Sequence, residues 1–354
     1  MKLFIHIWTN LEYFKLLNEW FLLSQGKKDR DIASFILQNF PWELAETISP
    51  QYEVNFMAIR EIKKRFWGDY FNKIEWIYYW SDNCEYLSAT KNELEKAIEL
   101  FRDFNKKNPP HTIRTFTFVT PYVWNKMLER LDRSLEFLNN LKIKNPIEVV
   151  VNDLWVLRLI NTKYTNLKPI FGRLLHKLLK TPLIDTYWYE AHPEWEKIKN
   201  KSEQEKLKLR EEIVKWQMKF YSSSEVSVSE FRQFLERFWI NRVTLDYMQK
   251  REALYKNEDN IWVDLYYPWA LIFTWRLCDT AAVENPKKWF YATDDICPRT
   301  CDRYDIFYKI KTVGYNIIQR WNAWYRSELN LDFLSDEFIW NNDNRLVFAP
   351  FISV

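Results

Sequence analysis

The amino-acid sequence predicts an α/β protein built around a mostly parallel sheet, which is either closed as a barrel or left open. The first observation is that short apolar or β-branched runs recur from residue 51 onward. The second is that amphipathic helical stretches, such as 92–107 and 123–141, separate several of these runs. Alternating strands and helices are typical of parallel sheets, because each helix carries the chain back to the start of the next strand.

Eight runs have the length and composition of strands. They are rich in β-branched and aromatic residues, which favour a pleated and buried backbone. These runs begin near Tyr52, Ile74, Thr112, Ile147, Leu167, Met218, Arg242 and Asn260. Hydrophobic residues make up 47% of the chain, which is enough for a packed core. We therefore expect these runs to form one mostly parallel sheet.

The rest of the sequence divides into two flanking segments and one insertion. Residues 1–50 are expected to form an N-terminal extension with a short strand and two helices, and residues 305–354 a C-terminal tail that packs on the sheet. The unit between them, 51–304, contains the predicted strands and all the cysteines. Its segment 193–216 is almost wholly charged, which predicts an exposed helical insertion. Side chains expected to stay in water are Glu194, Lys197, Lys201, Glu203 and Lys206.

Composition and charge argue against several classes of protein. The 51 Lys and Arg residues nearly balance the 48 Asp and Glu residues, for a net charge of +3. This balance argues against a dedicated nucleic-acid or membrane-surface protein. No run approaches the roughly 18 apolar residues that a membrane-spanning helix needs. Asn10 and Glu12 interrupt the apolar N-terminus too early for a signal peptide, so we expect a cytoplasmic location.

The chain has four cysteines, and their spacing indicates a metal or cluster site. Cys278, Cys297 and Cys301 follow the pattern C-x18-C-x3-C around a charged loop, and Cys84 directly follows the strand predicted at 74–80. The functional residues of α/β barrels lie at the carboxyl ends of the strands, so all four thiols can meet there. Four thiolates suit both tetrahedral zinc and a 4Fe–4S cluster. The alternative is that these cysteines pack as small apolar residues.

Several segments between Tyr52 and the C-terminus resemble the U32 peptidase family. IEWIYYWSDNC resembles the family's first cysteine element, and LCDTAAVENPKKWFYATDDICPRTC resembles its later cysteine cluster, with a slightly longer loop. PIEVVVNDLWVLRLI resembles a strand motif of the family, and FGRLLHK, CPRTCDRY and DNRLVFAP resemble segments of uncharacterised U32-type proteins. The cysteine pattern is similar to the iron–sulfur branch, which includes the small subunit of the oxygen-independent ubiquinone-biosynthesis hydroxylase.

This resemblance implies a TIM-barrel-like (β/α)8 fold and a 4Fe–4S cluster held by Cys84, Cys278, Cys297 and Cys301. It also implies a second U32-family subunit as partner and an oxygen-independent hydroxylation whose oxygen comes from a donor metabolite. Peptidase activity is less favoured, because the sequence has neither a Gly-x-Ser-x-Gly nor an HExxH motif. Two alternatives stay open: a zinc- or cluster-stabilised binding scaffold without chemistry, and a U32-type peptidase or RNA-modification factor. The substrate, a small molecule or RNA, is not specified by the sequence.

Polar side chains at the ends of predicted strands are further candidates for catalysis or binding. They are Asn152, Asp153, Arg173 and His176. The first two either face the site or cap the next helix. Arg173 can bind an anion and His176 can act as acid or base, unless both are solvated on one helix face. Arg276 and Arg299 lie beside cysteines, where a cation offsets the negative charge of a cluster.

Glycine and tryptophan occur in abnormal numbers. Average usage predicts about 25 glycines, whereas the chain of 354 residues has 4 Gly and 19 Trp. Trp80, Trp155 and Trp275 stand where the U32 pattern has glycine. We interpret this as an alternative genetic code, in which UGA encodes glycine but is translated as tryptophan. A genuinely Trp-rich chain is the alternative.

Overall fold

A computed structural model describes most of the chain and contains a closed barrel. The described residues are 2–7, 45–66, 74–107, 115–141, 146–176, 200–221, 224–247, 261–285, 287–292, 296–302, 304–309, 316–332 and 334–349. Eight parallel strands form the barrel, with helices between them. The predicted mostly parallel (β/α)8 barrel of the TIM type is therefore confirmed.

The barrel strands come from both ends and the middle of the chain. They are β1 (Lys2–Ile7), β2 (Ile74–Tyr79), β3 (Thr115–Val119), β4 (Ile147–Val151), β5 (Leu167–Phe171), β6 (Arg242–Asp246), β7 (Trp262–Tyr267) and β14 (Arg345–Phe348). Their order around the barrel is β1-β14-β7-β6-β5-β4-β3-β2. Every residue of β4 and β6 is buried, as expected for strands covered on both faces.

Helices cover the outside of the barrel or lie at its ends. They are α1 (Ala45–Phe66), α2 (Lys91–Lys107), α3 (Asn125–Asn139), α4 (Leu154–Lys163), α5 (Glu203–Tyr221), α6 (Ser229–Arg237) and α7 (Asp336–Trp340). A capping box starts α2: the Thr90 backbone N–H donates to Glu93 at 2.7 Å, and the Glu93 N–H donates to the Thr90 hydroxyl at 3.3 Å. No helix in the described part of the chain is both long and apolar enough to cross a lipid bilayer.

Six of the predicted strands are confirmed, but the strand predicted at Tyr52 is wrong. Tyr52 lies within α1. The buried residues Val54, Ala58 and Ile62 recur every four positions along this helix. That spacing is helical, because strand residues on one face alternate every two positions. The short apolar run at 52–58 fits either a helix or a strand. The four-residue spacing of the buried residues shows that it is helical.

The strand predicted at Met218 is also wrong. The segment 218–227 first completes α5 and then forms a short 3₁₀ turn at 225–227. Ser224 caps this turn, since its hydroxyl accepts a hydrogen bond from the Val226 N–H at 3.2 Å. Serine side chains compete with strand pairing in this way, because they satisfy backbone groups locally.

The two ends of the chain supply the strands that close the barrel. In β1, Ile5 lies opposite Ile77 of β2 on one side and Phe348 of β14 on the other. All three side chains are buried in the same core cluster. The segments predicted as N-terminal extension and C-terminal tail thus each contribute a barrel strand. This pairing joins residues far apart in sequence, so no local pattern predicts it.

The charged insertion forms an exposed helix over its described part. In α5 and the residues just before it, Lys201 and Glu203 are exposed as predicted, and Lys206 is half-buried. Glu194 and Lys197 lie outside the described residues. Among the side chains of α5 that the structure describes, Ile213 is buried.

A second sheet lies at the carboxyl end of β7 and was not predicted. It is antiparallel and consists of β8 (Trp269–Thr274), β11 (Ile306–Lys309), β12 (Asn316–Arg320) and β13 (Ala323–Ser327). A two-stranded ribbon, β9 (Leu277–Cys278) with β10 (Tyr291–Ala292), follows β8. Pro268 alone separates β8 from β7, and the Leu271 N–H donates to Asp246 at the end of β6. The sheet therefore covers part of the carboxyl mouth of the barrel.

Buried ion pairs fill the barrel interior near the strand starts. Arg345 donates two hydrogen bonds to Glu148, at 2.6 Å and 3.0 Å. Arg242 donates to Asp264 at 2.6 Å, and the Tyr78 hydroxyl donates to the second oxygen of that carboxylate. Two cations thus oppose two carboxylates. Burial of charge is tolerated here because each group has an oppositely charged, hydrogen-bonded partner.

Candidate metal centre at the mouth of the barrel

All four cysteines line one cavity at the mouth of the barrel. Cys84 follows β2 and precedes a short 3₁₀ helix, and Cys278 lies in β9. Cys297 precedes a 3₁₀ turn that contains Cys301. Cys84 and Cys301 are buried, the other two are half-buried, and none of the four forms a disulfide. Residues more than 200 positions apart are thus brought together by the barrel and its covering sheet.

Backbone N–H groups point at the cysteine sulfurs. The Arg299 N–H donates to Cys297 Sγ at 3.4 Å. The N–H groups of Tyr86 and Leu87 lower the pKa of Cys84, and that of Ala281 lowers the pKa of Cys278, so they are directed toward these sulfurs. The Leu87 N–H also donates to the Cys84 carbonyl at 3.2 Å. A neutral thiol is a weak acceptor, whereas a thiolate gains strongly from such bonds. Loops whose N–H groups surround an anion are typical of phosphate and iron–sulfur sites.

Burial keeps the thiols of Cys84 and Cys278 protonated at neutral pH in the protein alone. Burial raises the pKa of Cys84 far above its usual range, and the nearby Cys278 and Cys297 raise it further. Burial, followed by Cys301, raises the pKa of Cys278 to about 12. A bound cationic centre reverses this effect, because metal–sulfur bonds require deprotonated cysteine. The donor chemistry of the cavity therefore fits a metal or cluster.

A cationic side chain, that of Arg276, lines the cavity, and its guanidinium stacks over the Trp124 ring at 4.0 Å. Arg299 lies between Cys297 and Cys301 and has a positive φ of 56°. Its side chain is exposed and does not line the cavity. Arg276 therefore lies where a positive charge can offset the thiolates, whereas Arg299 contributes its backbone N–H.

A buried charged network lies next to the cavity. Arg173 donates to Asp82 at 2.7 Å and to Asp246 at 2.6 Å. Burial alone lowers the pKa of Arg173, but the two carboxylates outweigh it and keep the guanidinium charged. Asn83 links this network to the cavity, since its amide donates to Asp82 and to the Tyr325 hydroxyl while the residue also lines the cavity. Arg173 is therefore neutralised within the protein rather than exposed to an anion.

His6 and Tyr266 complete the mouth of the barrel. His6 Nε2 donates to the Trp80 carbonyl at 2.6 Å. Burial lowers the pKa of His6 to about 3, and the charge of Arg173 contributes, so the ring is neutral at pH 7. The Tyr266 hydroxyl is buried and has no hydrogen-bond partner among the described residues. Arg173 stacks over the Tyr266 ring at 4.1 Å.

Asn152 and Asp153 hold loops in place and do not line the cavity. Asp153 caps α4, accepting a hydrogen bond from the Trp155 N–H at 2.7 Å. The Asn152 amide donates to the Thr120 carbonyl at 2.8 Å and accepts from the Leu174 N–H at 3.2 Å. Of the two interpretations of Asp153, the structure supports the helix cap.

His176 lies apart from the cysteines. Its Nδ1 is 3.1 Å from Glu225, and its ring packs against Phe171 and Phe231. Arg173 and His176 were expected either in a site or together on a solvated helix face. Instead both side chains are buried, in a turn after β5, and they point to different partners.

Sequence reasoning missed four residues at the mouth: His6, Asp82, Asn83 and Asp246. Asp82 and Asn83 stand directly before Cys84, and Asp246 ends β6. The rule that pointed to Cys84, a polar residue just after a barrel strand, applies equally to them. His6 was set aside because the histidines are scattered along the sequence and do not have the spacing of metal ligands.

The three suspected glycine positions differ in backbone conformation. Trp80 has a φ of 101°, in the left-handed region that favours glycine. Trp155 lies in the first turn of α4, and Trp275 follows β8. Neither of these two has a positive φ, so the backbone requires glycine only at Trp80 among the three.

A search for single-ion geometry and comparisons with known proteins were both negative. Among the residues that the structure describes, no group of three or more His, Cys, Asp or Glu side chains is arranged to hold a single metal ion. The chain matches no family model, and no curated protein or solved structure is significantly similar to it.

Proposed function

We propose that this protein is an iron–sulfur, U32-type barrel that works as one component of an oxygen-independent hydroxylation or a related redox modification system. The observation that carries the proposal is the convergence of four cysteines on one cavity, with backbone N–H groups directed at three of their sulfurs. This is the arrangement that a cluster with thiolate ligands needs. The family resemblance in the sequence supports the same cofactor.

A 4Fe–4S cluster is favoured over zinc. Zinc bonds to thiolate near 2.3 Å, so four sulfurs around one ion lie roughly 4 Å apart. A cluster holds its four thiolates farther apart, on the order of 6–7 Å. The two groups therefore need different spacings of the four sulfurs, which line one cavity here. The wide loop between Cys278 and Cys297 suits a larger group.

The residues of the chain have distinct roles in this proposal. The cluster supplies one-electron transfer, and Cys84, Cys278, Cys297 and Cys301 hold it. The N–H bonds to sulfur and the charge of Arg276 favour the reduced, more negative state. The ion pairs around Arg173 fix the loop that ends in Cys84, and the covering sheet restricts access of water to the cavity.

A second U32-type subunit is proposed as partner, and the protein is proposed to act in the cytoplasm. A reducing compartment keeps cysteines as thiols, which agrees with the absence of disulfides among the four. The substrate class, a small molecule or RNA, and the donor of the oxygen follow from the resemblance alone. Peptidase activity is less favoured, because the cysteines serve better as ligands than as nucleophiles.

The test is anaerobic purification followed by iron, sulfide and zinc analysis and a visible spectrum. We expect about four irons and four sulfides per chain, as in a 4Fe–4S centre. Cys84→Ser should lower the iron content and bleach the spectrum while the barrel stays folded. Ala292→Ser is the matched control, since it adds a hydroxyl to the same cavity without removing a thiol. Zinc without iron would instead support a metal-stabilised binding scaffold.

A further inference from the structure

Three tryptophans occupy backbone positions that favour glycine. Among the described residues, positive φ occurs at four non-glycine positions: Trp80, Trp239, Arg299 and Trp321. Such conformations are uncommon outside glycine, and Asn, Asp and His account for most exceptions. Tryptophan is a bulky residue with no means to offset the strain. Three tryptophans among four such positions therefore demand a specific explanation.

Trp239 ends α6 in a Schellman motif. Its N–H donates to the Glu236 carbonyl at 3.0 Å, and the Ile240 N–H donates to the Leu235 carbonyl at 3.0 Å. These two bonds define the motif, and Trp239 holds its left-handed position with a φ of 57°. Leu235 and Ile240 are both buried, which supplies the hydrophobic contact that accompanies the motif. Glycine is the usual residue at this position.

Trp321 begins a two-residue hairpin turn. Arg320 of β12 pairs with Ala323 of β13, so the loop consists of Trp321 and Asn322. Trp321 has a φ of 57°, and Asn322 does not have a positive φ. A positive φ at only the first loop residue is the pattern of a type II′ turn, which has glycine at that position. Gly-Asn is a favoured sequence for such a turn.

Trp80 lies at the end of β2 with a φ of 101°. This value lies well outside the narrow left-handed well that L residues can enter. Its carbonyl accepts a hydrogen bond from His6, so the unusual backbone is held in place at the barrel mouth. The position therefore requires a residue without a Cβ.

We propose that residues 80, 239 and 321 are glycine in the native protein, because their codon is read as glycine in the cell that makes it. The composition agrees, since the chain has 19 Trp against 4 Gly. The structure extends the assignment beyond Trp80 to two positions found only from backbone geometry.

The assignment changes the surroundings of the candidate metal centre. Trp321 is 1% exposed and belongs to the buried cluster that contains Cys84 and Cys301. Its neighbour Asn322 lines the cysteine cavity. Glycine at 321 removes the indole from this cluster, so the native protein has additional space beside the cysteines. This consequence does not depend on which metal the cysteines hold.

Mass spectrometry of peptides from the protein isolated from its own cells tests the proposal directly. We expect the peptides that cover positions 80, 239 and 321 each to be lighter by the difference between tryptophan and glycine. Tryptophan at any one of the three positions overturns the proposal. Iron content plays no part in this measurement, so its outcome is separate from that of the proposed function.

Recombinant chains with the printed sequence test the backbone argument. Trp239 and Trp340 are both exposed, at 86% and 79%, but only Trp239 has a positive φ. We expect Trp239→Gly to raise the thermal midpoint by roughly 1–3 °C, because it removes the strain of a left-handed tryptophan. Trp340→Gly, the matched control at the end of α7, should lower it. A fall for both variants would overturn the argument.

Discussion

The two ends of the barrel interior hold charge in different ways. Near the strand starts, Arg242 and Arg345 oppose Asp264 and Glu148, so the charges balance. At the carboxyl mouth, one arginine, Arg173, faces two carboxylates. The mouth also carries a buried Tyr266 hydroxyl and an Asn83 amide oxygen without hydrogen-bond partners in the described part of the chain.

We interpret the network at the strand starts as structural and the carboxyl mouth as functional. A charge-balanced network such as that at the strand starts contributes to a unique fold. Functional sites typically contain unbalanced charge, buried polar groups without hydrogen-bond partners, and thiols with raised pKa values. Barrel enzymes place such groups at the carboxyl ends of their strands. The two regions therefore predict different responses to mutation.

The largest expected effect is on stability at the strand starts. Arg345→Met leaves Glu148 and Asp264 short of positive charge in the barrel interior, which should cost about 3–5 kcal/mol in the free energy of unfolding. Urea unfolding measures it. The control is Lys64→Met, which removes an exposed pair with Asp332 and should cost under about 1 kcal/mol. Equal losses for the two variants would contradict the importance of the interior network.

A smaller effect is expected from pH at the mouth. Burial lowers the pKa of His6 to about 3, whereas an unfolded histidine titrates near ~6.5. Between these values the unfolded chain binds a proton that the folded protein does not. His6 should therefore make stability fall by about 1.4 kcal/mol per pH unit as pH drops below ~6.5.

His6→Gln isolates this contribution, because the amide can still donate to the Trp80 carbonyl. Urea unfolding between pH 7.5 and pH 4.5 should show a flatter dependence for the variant than for the parent chain. The two curves should run parallel above ~pH 7, where the histidine is neutral in both states. Parallel curves at acid pH as well would show that His6 is protonated within the fold.

The smallest expected effect on stability is at Arg276, which is exposed and lines the cysteine cavity. Arg276→Met should leave the unfolding free energy nearly unchanged. In iron-loaded protein, it should lower the reduction potential, because a positive charge beside the cluster favours the reduced state. Spectroelectrochemistry measures the shift, with Arg158→Met at an exposed position of α4 as control. An unchanged potential would place Arg276 too far from the centre to influence it.

The sequence predicted most of the sheet and the position of the cysteine site. Six barrel strands were found because their apolar runs are bounded by helices of clear period. Cys84 was placed correctly at the mouth because it follows a strand. The errors at Tyr52 and Met218 arose where a short apolar run fits both helix and strand. The strands at the chain ends were not assigned to the barrel, because their partners lie hundreds of residues away.

The sequence by itself determined the alternation of strands and helices, the spacing of the four cysteines and the excess of tryptophan over glycine. These are local properties of composition and period. Only the tertiary structure decided which strands close the barrel, that Arg173 pairs with Asp82 and Asp246, and that His176 lies apart from the cysteines. It also showed that residues 239 and 321 have a positive φ, which the composition alone does not locate. Pairing between distant residues depends on how the whole chain packs, so the local sequence does not predict it.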